Sequence, residues 1–480
     1  MLTIERIMKK LYALLLGGGL LVSSSCSDFI DLTPTHSLSS TTVFGKLDDF
    51  EPVLNGTYAS MRDLYAYGLF QSVMPDMMAD NTLETTESLV NYKAVTDWTY
   101  AADQLRVAEV WRFSYLMIND ANLILQNITQ FESTNPQRAN RFKGQALAIR
   151  GLMHFNLLRY YAPNFDRNST APGIPIKTTP VIELPGRATV KEVYDQIYKD
   201  LEAALPLLND VDAAINTNTR RSRIDAATVN AILARVALYA KEYDRAITFA
   251  TAAITARPLA SRASFPGIWT DANADEVLFS IQFNPGEGGP ALDVWSPATN
   301  RAQFDPSAEL LSLYDAAKDV RYTSYFTPGA SVPGSVNRAT RVVSTKYQGK
   351  GTARDGAVNF KAFRTGEMYL IRAEARALSN RATEALADLN TLRAARIADF
   401  TPRTETGQAL LDAIATERRK ELWLEGHRWF DLKRTTRVVQ RVSCRAGVVC
   451  NLPASSPKWA WPIPQNERLA NPNIAQNEGY

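Results

Sequence analysis

Apolar residues recur at helical spacing along most of the chain, whereas the strict alternation of an exposed strand is rare. Pro136, Pro163, Pro258 and Gly426 supply stop signals at several helix ends. The clearest strand is the apolar run at residues 276–283. The periodicity predicts helices over residues 47–66, 105–131, 136–161, 189–208, 225–240, 242–256, 306–316, 366–379, 381–398 and 407–425.

Two of the predicted helix pairs look alike. Ala234 and Ala246 lie twelve residues apart across a polar turn, and Ala373 and Ala385 repeat that spacing. Small residues at this spacing let two helices approach closely, as in tetratricopeptide repeats. A plain antiparallel helical hairpin shows the same pattern, so the spacing leaves both interpretations open.

Long irregular stretches separate the helices, at residues 66–104, 162–188, 257–305, 326–362 and 435–480. Loops this long are uncommon in a compact domain unless they carry function. The expected fold class is therefore mainly α, with large loops and a few short strands.

The N-terminus has the pattern of a secretory signal peptide. Lys9 and Lys10 precede an apolar run at residues 11–22, which is shorter than the roughly 20 residues that span a bilayer. Small residues then lead to Cys26, which predicts a signal peptide over residues 1–25. A start at Met8 gives a more usual n-region, and the sequence does not decide between Met1 and Met8.

Cys26 has the position of the acylated cysteine of a bacterial lipoprotein. Ser23 stands where leucine is usual, and a secreted protein with a chance cysteine is the alternative. The acidic, polar stretch 27–31 is similar to the surface-export segment of Bacteroidetes lipoproteins, and Ser/Thr-rich residues 31–42 are typical of a tether. We expect residues 26–42 to anchor the chain by lipid to the outside of the outer membrane.

The other two cysteines, Cys444 and Cys450, flank a short stretch around Gly447. In an oxidising compartment, a local disulfide closing a surface loop is the expected arrangement. A metal site needs more ligands than this stretch offers.

Charge and motif content argue against several function classes. The formal net charge is +3, and removal of residues 1–25 leaves about +1, so the chain lacks the basic excess of a nucleic-acid binder. Metalloprotease, nucleophile-elbow and phosphate-loop motifs are absent. Two carboxylates for glycoside hydrolysis converge only in three dimensions, so the sequence leaves that chemistry open without singling out a pair.

The C-terminal third carries a more specific signal. Residues 414–434 resemble the signature of the RagB/SusD family of nutrient-binding outer-membrane lipoproteins. Further matches in family order are residues 366–375, 389–393, 461–464 and 471–480, and, in the N-terminal half, residues 55–58, Trp111, Tyr115, Asn122 and residues 142–161.

The resemblance implies a single body built on about four tetratricopeptide-like helix pairs, with an N-terminal half at residues 43–225 and a C-terminal half at 226–480. It implies binding without catalysis, a TonB-dependent barrel of the SusC type as partner, and an oligosaccharide or peptide ligand. No cofactor is expected, although a bound calcium ion stays open. A tetratricopeptide-type surface scaffold for protein complexes and a surface hydrolase are the alternative functions.

Sugar binding needs flat apolar rings beside polar partners, and aromatic residues on loops are the candidates because helices use theirs for packing. Trp98 and Tyr100 lie on the first long loop, and Trp295 lies on the loop after the strand. These three residues are the predicted ligand contacts. In contrast, Glu417, Glu421 and Glu425 recur every four residues and predict a structural polar network rather than a catalytic one.

Overall fold

The computed structural model describes residues 43–209, 216–217, 220–296, 299–331, 339–350, 355–442, 444 and 449–480. The chain divides into two units, one ending at Asp49 and one running from Phe50 to Tyr480. The described part of the first unit contains a single 3-10 turn at Leu47–Asp49. The expected signal peptide, Cys26 and most of the tether lie outside the described residues.

Long helices carry the second unit, and most begin and end within a few residues of the predicted bounds. They are α1 Phe50–Ser60, α2 Leu105–Asn127, α3 Pro136–Tyr161, α4 Val190–Ala204, α5 Ala226–Tyr239, α6 Tyr243–Ala256, α7 Thr365–Leu378, α8 Ala382–Ala394 and α9 Gly407–Glu421. Short helices are found at Met74–Met77, Lys93–Thr96, Phe265–Ile268, Ala308–Leu311, Val320–Tyr325, Arg428–Arg434 and Gln465–Ala470.

Side-chain caps explain why several helices begin where they do. Thr189 and Glu192 form a reciprocal capping box ahead of α4. Asn135 accepts a hydrogen bond from the Arg138 N–H at 3.2 Å at the start of α3. Asp225 does the same for Thr228 at 2.8 Å ahead of α5.

The predicted close approach of helix pairs is confirmed. Helix α5 packs on α6, and α7 packs on α8. The four alanines that predicted this, Ala234, Ala246, Ala373 and Ala385, are fully buried. Helix α6 also packs on α7, although more than a hundred residues separate them in sequence, so the two pairs form one continuous layer. Helices α2, α3 and α4 pack in succession on the N-terminal side.

Within the described residues, the strands are short and form two-stranded antiparallel sheets. The predicted strand is confirmed as β4, Val277–Ile281, and pairs with β10, Phe360–Arg364, an element that the sequence pattern did not reveal. Both strands are buried along their whole length. The remaining pairs are β1 Thr82–Glu84 with β7 Phe304–Pro306, β2 Asn216–Thr217 with β3 Arg220–Arg221, β5 Trp295–Ser296 with β6 Arg301–Ala302, β8 Phe326–Pro328 with β9 Val342–Ser344, and β11 Val439–Gln440 with β12 Asn451–Leu452.

Two local predictions need correction. The helix expected at 306–316 is a single turn, Ala308–Leu311, because the residues before it pair as β7 with β1. Gly426, expected to stop the helix predicted over residues 407–425, has a positive φ of +84°, but helix α9 ends five residues earlier. Its conformation serves a close approach instead, since a Cβ at this position would lie 2.3 Å from the carbonyl oxygen of Gln71.

The hairpin β11–β12 carries the second and third cysteines. In the structure Cys444 and Cys450 form a disulfide with a Cα–Cα distance of 5.8 Å. Arg441, the residue after β11, donates to the carbonyl oxygens of Met77, Met78 and Ala79. The hairpin is thereby fixed to the first long loop.

Within the described part of the chain, no helix combines the length and the apolar character that a membrane-spanning helix needs.

Candidate functional site

Trp98 is buried by its surroundings. Its indole Nε1 donates to the carbonyl oxygen of Met78 at 3.0 Å, and the guanidinium of Arg441 lies over the ring with Cζ 4.3 Å from the centroid. Only 4% of the residue is exposed. One face of the indole is therefore already covered by a protein cation.

Tyr100 is also packed. Its hydroxyl donates to the carbonyl oxygen of Lys458, and its ring lies 5.5 Å from that of Trp461 and 6.4 Å from that of Tyr480. Burial and the neighbouring Tyr480 hydroxyl raise the pKa of the Tyr100 phenol well above its usual range. The ring belongs to an aromatic cluster that holds the C-terminal segment in place.

Trp295 lies on β5 and pairs with Ala302 on β6. Its side chain forms a small buried cluster with Ala302 and Val343. The expectation that loop aromatics keep free faces is thus not met at any of the three predicted positions. The physical reason is that these loops fold back onto the body as short strands and turns, so their large side chains complete the core.

The structure does bring the two predicted loops together. Strand β1 of the first loop pairs with β7 of the second, with Leu83 opposite Asp305. Tyr92 is hydrogen-bonded to Asp293, and both groups have a raised pKa because they are buried. Arg106, at the start of α2, lies over the Tyr92 ring with Cζ 4.9 Å from the centroid.

Next to this junction lies a surface that keeps aromatic and apolar side chains partly exposed. Tyr65 is half-buried and stacks on Phe70, with centroids 5.7 Å apart, and its ring is tilted against that of half-buried Phe113, with centroids 5.9 Å apart. We call this surface the aromatic face and define it by Leu64, Tyr65, Leu105, Arg106, Arg112 and Phe113. Leu105 is 63% exposed and Leu64 36% exposed.

Local backbone structure explains how Tyr65 reaches this position. Asp63 accepts a hydrogen bond from the Tyr65 N–H at 2.9 Å, and a π-helical turn follows at Leu64–Gly68. A Cβ on Gly68 would lie 2.5 Å from the Arg62 carbonyl oxygen, so this tight turn requires glycine. The turn holds the Tyr65 ring beside helix α2.

Charged groups border the aromatic face. Arg112 lies over the Phe113 ring with Cζ 4.4 Å from the centroid and pairs with Glu109 at 2.7 Å. The Arg106 Nε–H is buried and has no acceptor among the described residues.

A polar cavity of about 320 Å³ is lined by Arg62, which precedes Leu64 of the aromatic face by two residues in sequence. Arg62 lines the cavity and pairs at 2.7 Å with Glu287, which lies on the glycine-rich loop after β4. The polar side chains that line the cavity belong to Glu51, Asn55, Tyr58, Arg62, Arg220, Ser222, Arg223, Ser280 and Gln282.

Tyr58 is central in the polar cavity. Its hydroxyl donates to Gln145 at 2.8 Å and accepts from the Ile224 N–H at 3.0 Å. The Arg223 guanidinium covers the ring, with Cζ 4.5 Å from the centroid. Amide, guanidinium and carboxylate groups at one concave surface can hydrogen-bond the hydroxyl groups of a sugar.

Sequence reasoning missed both the aromatic face and the polar cavity. Tyr65 fell at the end of a predicted helix and Phe113 inside another, where aromatics are expected to pack in the core. One signal was present: Leu105, Arg112 and Leu116 mix apolar and charged residues on the exposed side of α2. An exposed leucine beside arginines does not fit the simple amphipathic pattern.

The glutamates of the signature stretch form the predicted polar network. Glu421 is fully buried and accepts hydrogen bonds from Arg364 at 2.5 Å and from Arg321 and Arg396 at 2.9 Å. The three guanidinium groups hold the pKa of the Glu421 carboxyl well below its usual range, although burial alone would raise it. This network ties α9 to β10 and to the segment before β4, a structural role.

His427 is buried beside Glu367, with Nε2 3.9 Å from the carboxylate oxygen. Burial and the surrounding arginines hold the pKa of its imidazole well below its usual range. No group of three or more histidine, cysteine or acidic side chains within the described ranges could hold a metal ion.

Two family models match the chain. Residues 28–238 match a model described as "Starch-binding associating with outer membrane", and residues 320–480 match the SusD family. Two SusD-like proteins of Formosa agariphila are similar along most of their length. One is 26% identical over 86% of this chain and 88% of its own, and the other is 23% identical over 96% of each.

Solved structures are similar as well. A SusD superfamily protein of Bacteroides thetaiotaomicron is 28% identical with a TM-score of 0.78, over 90% of this chain and 99% of its own. A protein of Bacteroides vulgatus named a putative sugar binding protein is 26% identical with a TM-score of 0.76, over 92% of this chain and 100% of its own.

Proposed function

Because the chain belongs to the SusD family, we propose that it is an outer-membrane lipoprotein that captures a glycan and delivers it to a TonB-dependent barrel of the SusC type. The observation that carries this proposal is the aromatic face, with the tilted rings of Tyr65 and Phe113, together with the polar cavity, which is lined by Arg62 three residues before Tyr65. The protein acts by binding and does no chemistry on its ligand.

The aromatic face has the two components of sugar recognition. Partly exposed rings and leucines offer flat apolar surface to the C–H faces of a pyranose. The polar cavity offers amide and guanidinium groups that can hydrogen-bond the hydroxyl groups of a sugar. An oligosaccharide, longer than one ring, would reach from the aromatic face into the polar cavity.

Names of similar proteins support a glycan over a peptide. The family model for the N-terminal half is described as starch-binding, and one similar structure is named a sugar binding protein. The face itself fits this class, because it offers partly exposed aromatic rings and leucines that can pack against the C–H groups of a sugar.

Anchoring and delivery rest on the sequence and on the family. Cys26 follows a signal-peptide pattern, and lipid at this residue would hold the chain at the membrane surface through residues 26–42. In the SusC-type arrangement, the lipoprotein covers the barrel as a lid and releases its ligand inward.

Native co-purification tests the proposal. The chain, tagged at its C-terminus, is isolated from outer membrane, and its bound proteins and glycans are identified by mass spectrometry. We expect a TonB-dependent barrel together with an oligosaccharide. Other surface proteins with neither barrel nor glycan would favour a scaffold, and progressive shortening of added polysaccharide would favour a hydrolase.

A further inference from the structure

A second cavity, of about 700 Å³, lies at the C-terminal segment. We call it the C-terminal cavity. It is enclosed by the loop after α3, by the end of the helix Arg428–Arg434 and by residues 454–479. It shares no lining residue with the aromatic face or the polar cavity. Its volume is in the range of pockets that bind small molecules.

Basic residues predominate in the lining of the C-terminal cavity. Five basic and two acidic side chains line the cavity, and one of the basic residues, Arg434, is already paired with Glu374 and Asp431 behind the lining. The basic residues are Arg187, Lys241, Lys433, Arg434 and Arg437, and the acidic ones are Asp166 and Glu478. A concave site with low-dielectric walls strengthens the attraction between these basic side chains and a bound anion.

Two of these cations have no carboxylate partner within the described residues. The Lys433 ammonium donates to the carbonyl oxygens of Arg159 at 3.0 Å and Ala162 at 2.7 Å, where α3 ends. Burial lowers the pKa of this amine to about 7. Arg187 likewise donates only to backbone carbonyls, at Gly173, Pro172 and Ala475.

Cations at the rim are paired, but with exposed partners. Lys241 lies 2.7 Å from Asp166, and both side chains are more than half exposed. Arg437 lies 3.2 Å from Asp412, also in solvent. Such exposed pairs are weak, so a ligand anion can compete for the cations.

The floor of the C-terminal cavity is aromatic. Phe165 and Trp459 are buried at its base, and the Trp459 ring is supported by Trp429 with centroids 4.4 Å apart. Asn477 is held beside them by its amide, which donates to the carbonyl oxygens of Tyr161 and Trp461 at 2.7 Å. A cationic wall over an aromatic floor suits a ring that carries a negative charge.

We propose that the C-terminal cavity is a second ligand site, which takes an anionic sugar unit whose charge is a carboxylate or a sulfate group. The inference depends on the proposed function only in taking the ligand to be a sugar. The preference for an anion rests on Arg187 and the rim cations, and Lys433 adds to it in the fraction of molecules in which its amine is protonated.

Calorimetric titration with matched disaccharides tests the site. The probes are digalacturonate, its carboxyl-reduced neutral form, and a sulfated neutral disaccharide. We expect saturable binding of at least one charged probe, at least tenfold tighter than the neutral form and weakened by salt. The probe that binds identifies the anion as carboxylate or sulfate. Equal affinity for all three probes, or no binding of either anion, overturns the proposal.

Substitutions of the rim cations test whether the charged probe binds in the C-terminal cavity. The double variant Lys241→Glu with Arg437→Glu should lose at least tenfold in affinity for the charged probe. Its matched control is Lys318→Glu with Arg403→Glu, which changes the net charge equally at exposed positions outside the cavity lining. An equal loss in both variants means a general charge effect and contradicts the site.

Failure of this inference and failure of the proposed function are distinguishable. A Tyr65→Ala variant should keep its binding of the charged probe, because Tyr65 does not line the C-terminal cavity. Loss of probe binding in Tyr65→Ala, with the rim variant unaffected, would place the anion at the aromatic face and overturn the second site.

Discussion

The Arg441 guanidinium lies over the Trp98 indole, with Cζ 4.3 Å from the ring centroid. Arg441 belongs to the disulfide-bearing hairpin and Trp98 to the first long loop, so this stack joins segments more than three hundred residues apart in sequence. Burial lowers the pKa of the Arg441 guanidinium to about 10, where it stays protonated at neutral pH. A tryptophan that the sequence suggests as a ligand contact therefore holds two loops together.

Truncation of Trp98 should lower the stability of the protein rather than act directly on ligand binding. Trp98→Ala removes a buried ring, its hydrogen bond to Met78 and its cation–π contact, and we expect a loss of about 3–5 kcal/mol in the free energy of unfolding. Urea denaturation measures this loss. Trp98→Phe, which retains a ring under Arg441, should lose less. Wild-type stability combined with lost glycan binding in Trp98→Ala would restore the residue as a ligand contact.

The buried ion network predicts a second stability effect. Glu421→Gln removes the negative charge that compensates Arg321, Arg364 and Arg396, and leaves their charges underpaired in the core. We expect a loss of about 3–5 kcal/mol in the free energy of unfolding, measured by urea denaturation.

A surface pair provides the control for the network. Glu384 is 56% exposed and pairs with Arg376, so Glu384→Gln should change the free energy of unfolding by less than about 1 kcal/mol. Equal effects of the two substitutions would show that the network contributes no more than a surface pair.

The burial of His154 predicts that the protein loses stability in acid. Its Nδ1 lies 3.0 Å from the Arg150 carbonyl oxygen and its Nε2 accepts from the Lys177 N–H at 3.3 Å, an arrangement that holds the ring neutral. Burial lowers the pKa of this imidazole to about 4 from an unfolded value near 6.5. Between these values the unfolded chain binds more protons, so stability is full above pH 6.5 and is lost as the pH falls toward 4.

Between neutral pH and pH 4, burial of neutral His154 should lower the free energy of unfolding by about 2–3 kcal/mol. The free energy of unfolding of wild type and of His154→Gln is measured at several pH values from 7.5 to 4. The wild-type value should fall more steeply with falling pH than the value for His154→Gln. His36→Gln, in the predicted tether, serves as the matched control and should follow the wild-type curve. Parallel curves for wild type and His154→Gln would contradict the assignment.

Lipid attachment predicts a change in location. Cys26→Ser should release the chain from the outer membrane into the soluble fraction and abolish labelling by a radioactive fatty acid. Cys444→Ser and Cys450→Ser, which replace the disulfide-bonded pair, should leave membrane attachment unchanged. Continued acylation of Cys26→Ser would show that the lipid is attached elsewhere.

The sequence predicted the helical layer well, because its cause is local. Helix α3 begins and ends at the predicted residues, and the alanine spacing marked the close packing of α5 on α6 and of α7 on α8. Helix periodicity, small residues and caps act over a few turns, so a single sequence displays them. The alanine pattern alone did not show that α6 would also pack on α7.

The candidate site could not be predicted in the same way. Strand β10 is recognised only by its pairing with β4, and Trp295 is buried only because β5 folds onto β6 and meets Val343. Whether a loop aromatic is packed or presented depends on segments far away in sequence. Tyr65 and Phe113 form the aromatic face for the same reason: two segments with core-like patterns meet at the surface.

Glycan binding by the purified chain tests the central claim most directly. The oligosaccharide recovered with the native complex is titrated calorimetrically into wild type, Tyr65→Ala and Tyr369→Ala, the last being a half-buried tyrosine on α7 away from the aromatic face. We predict saturable binding to wild type and Tyr369→Ala, at least tenfold weaker binding to Tyr65→Ala, and a glycan of unchanged mass afterwards. Equal affinity in all three proteins, or a shortened glycan, would contradict an inert receptor that binds through the aromatic face.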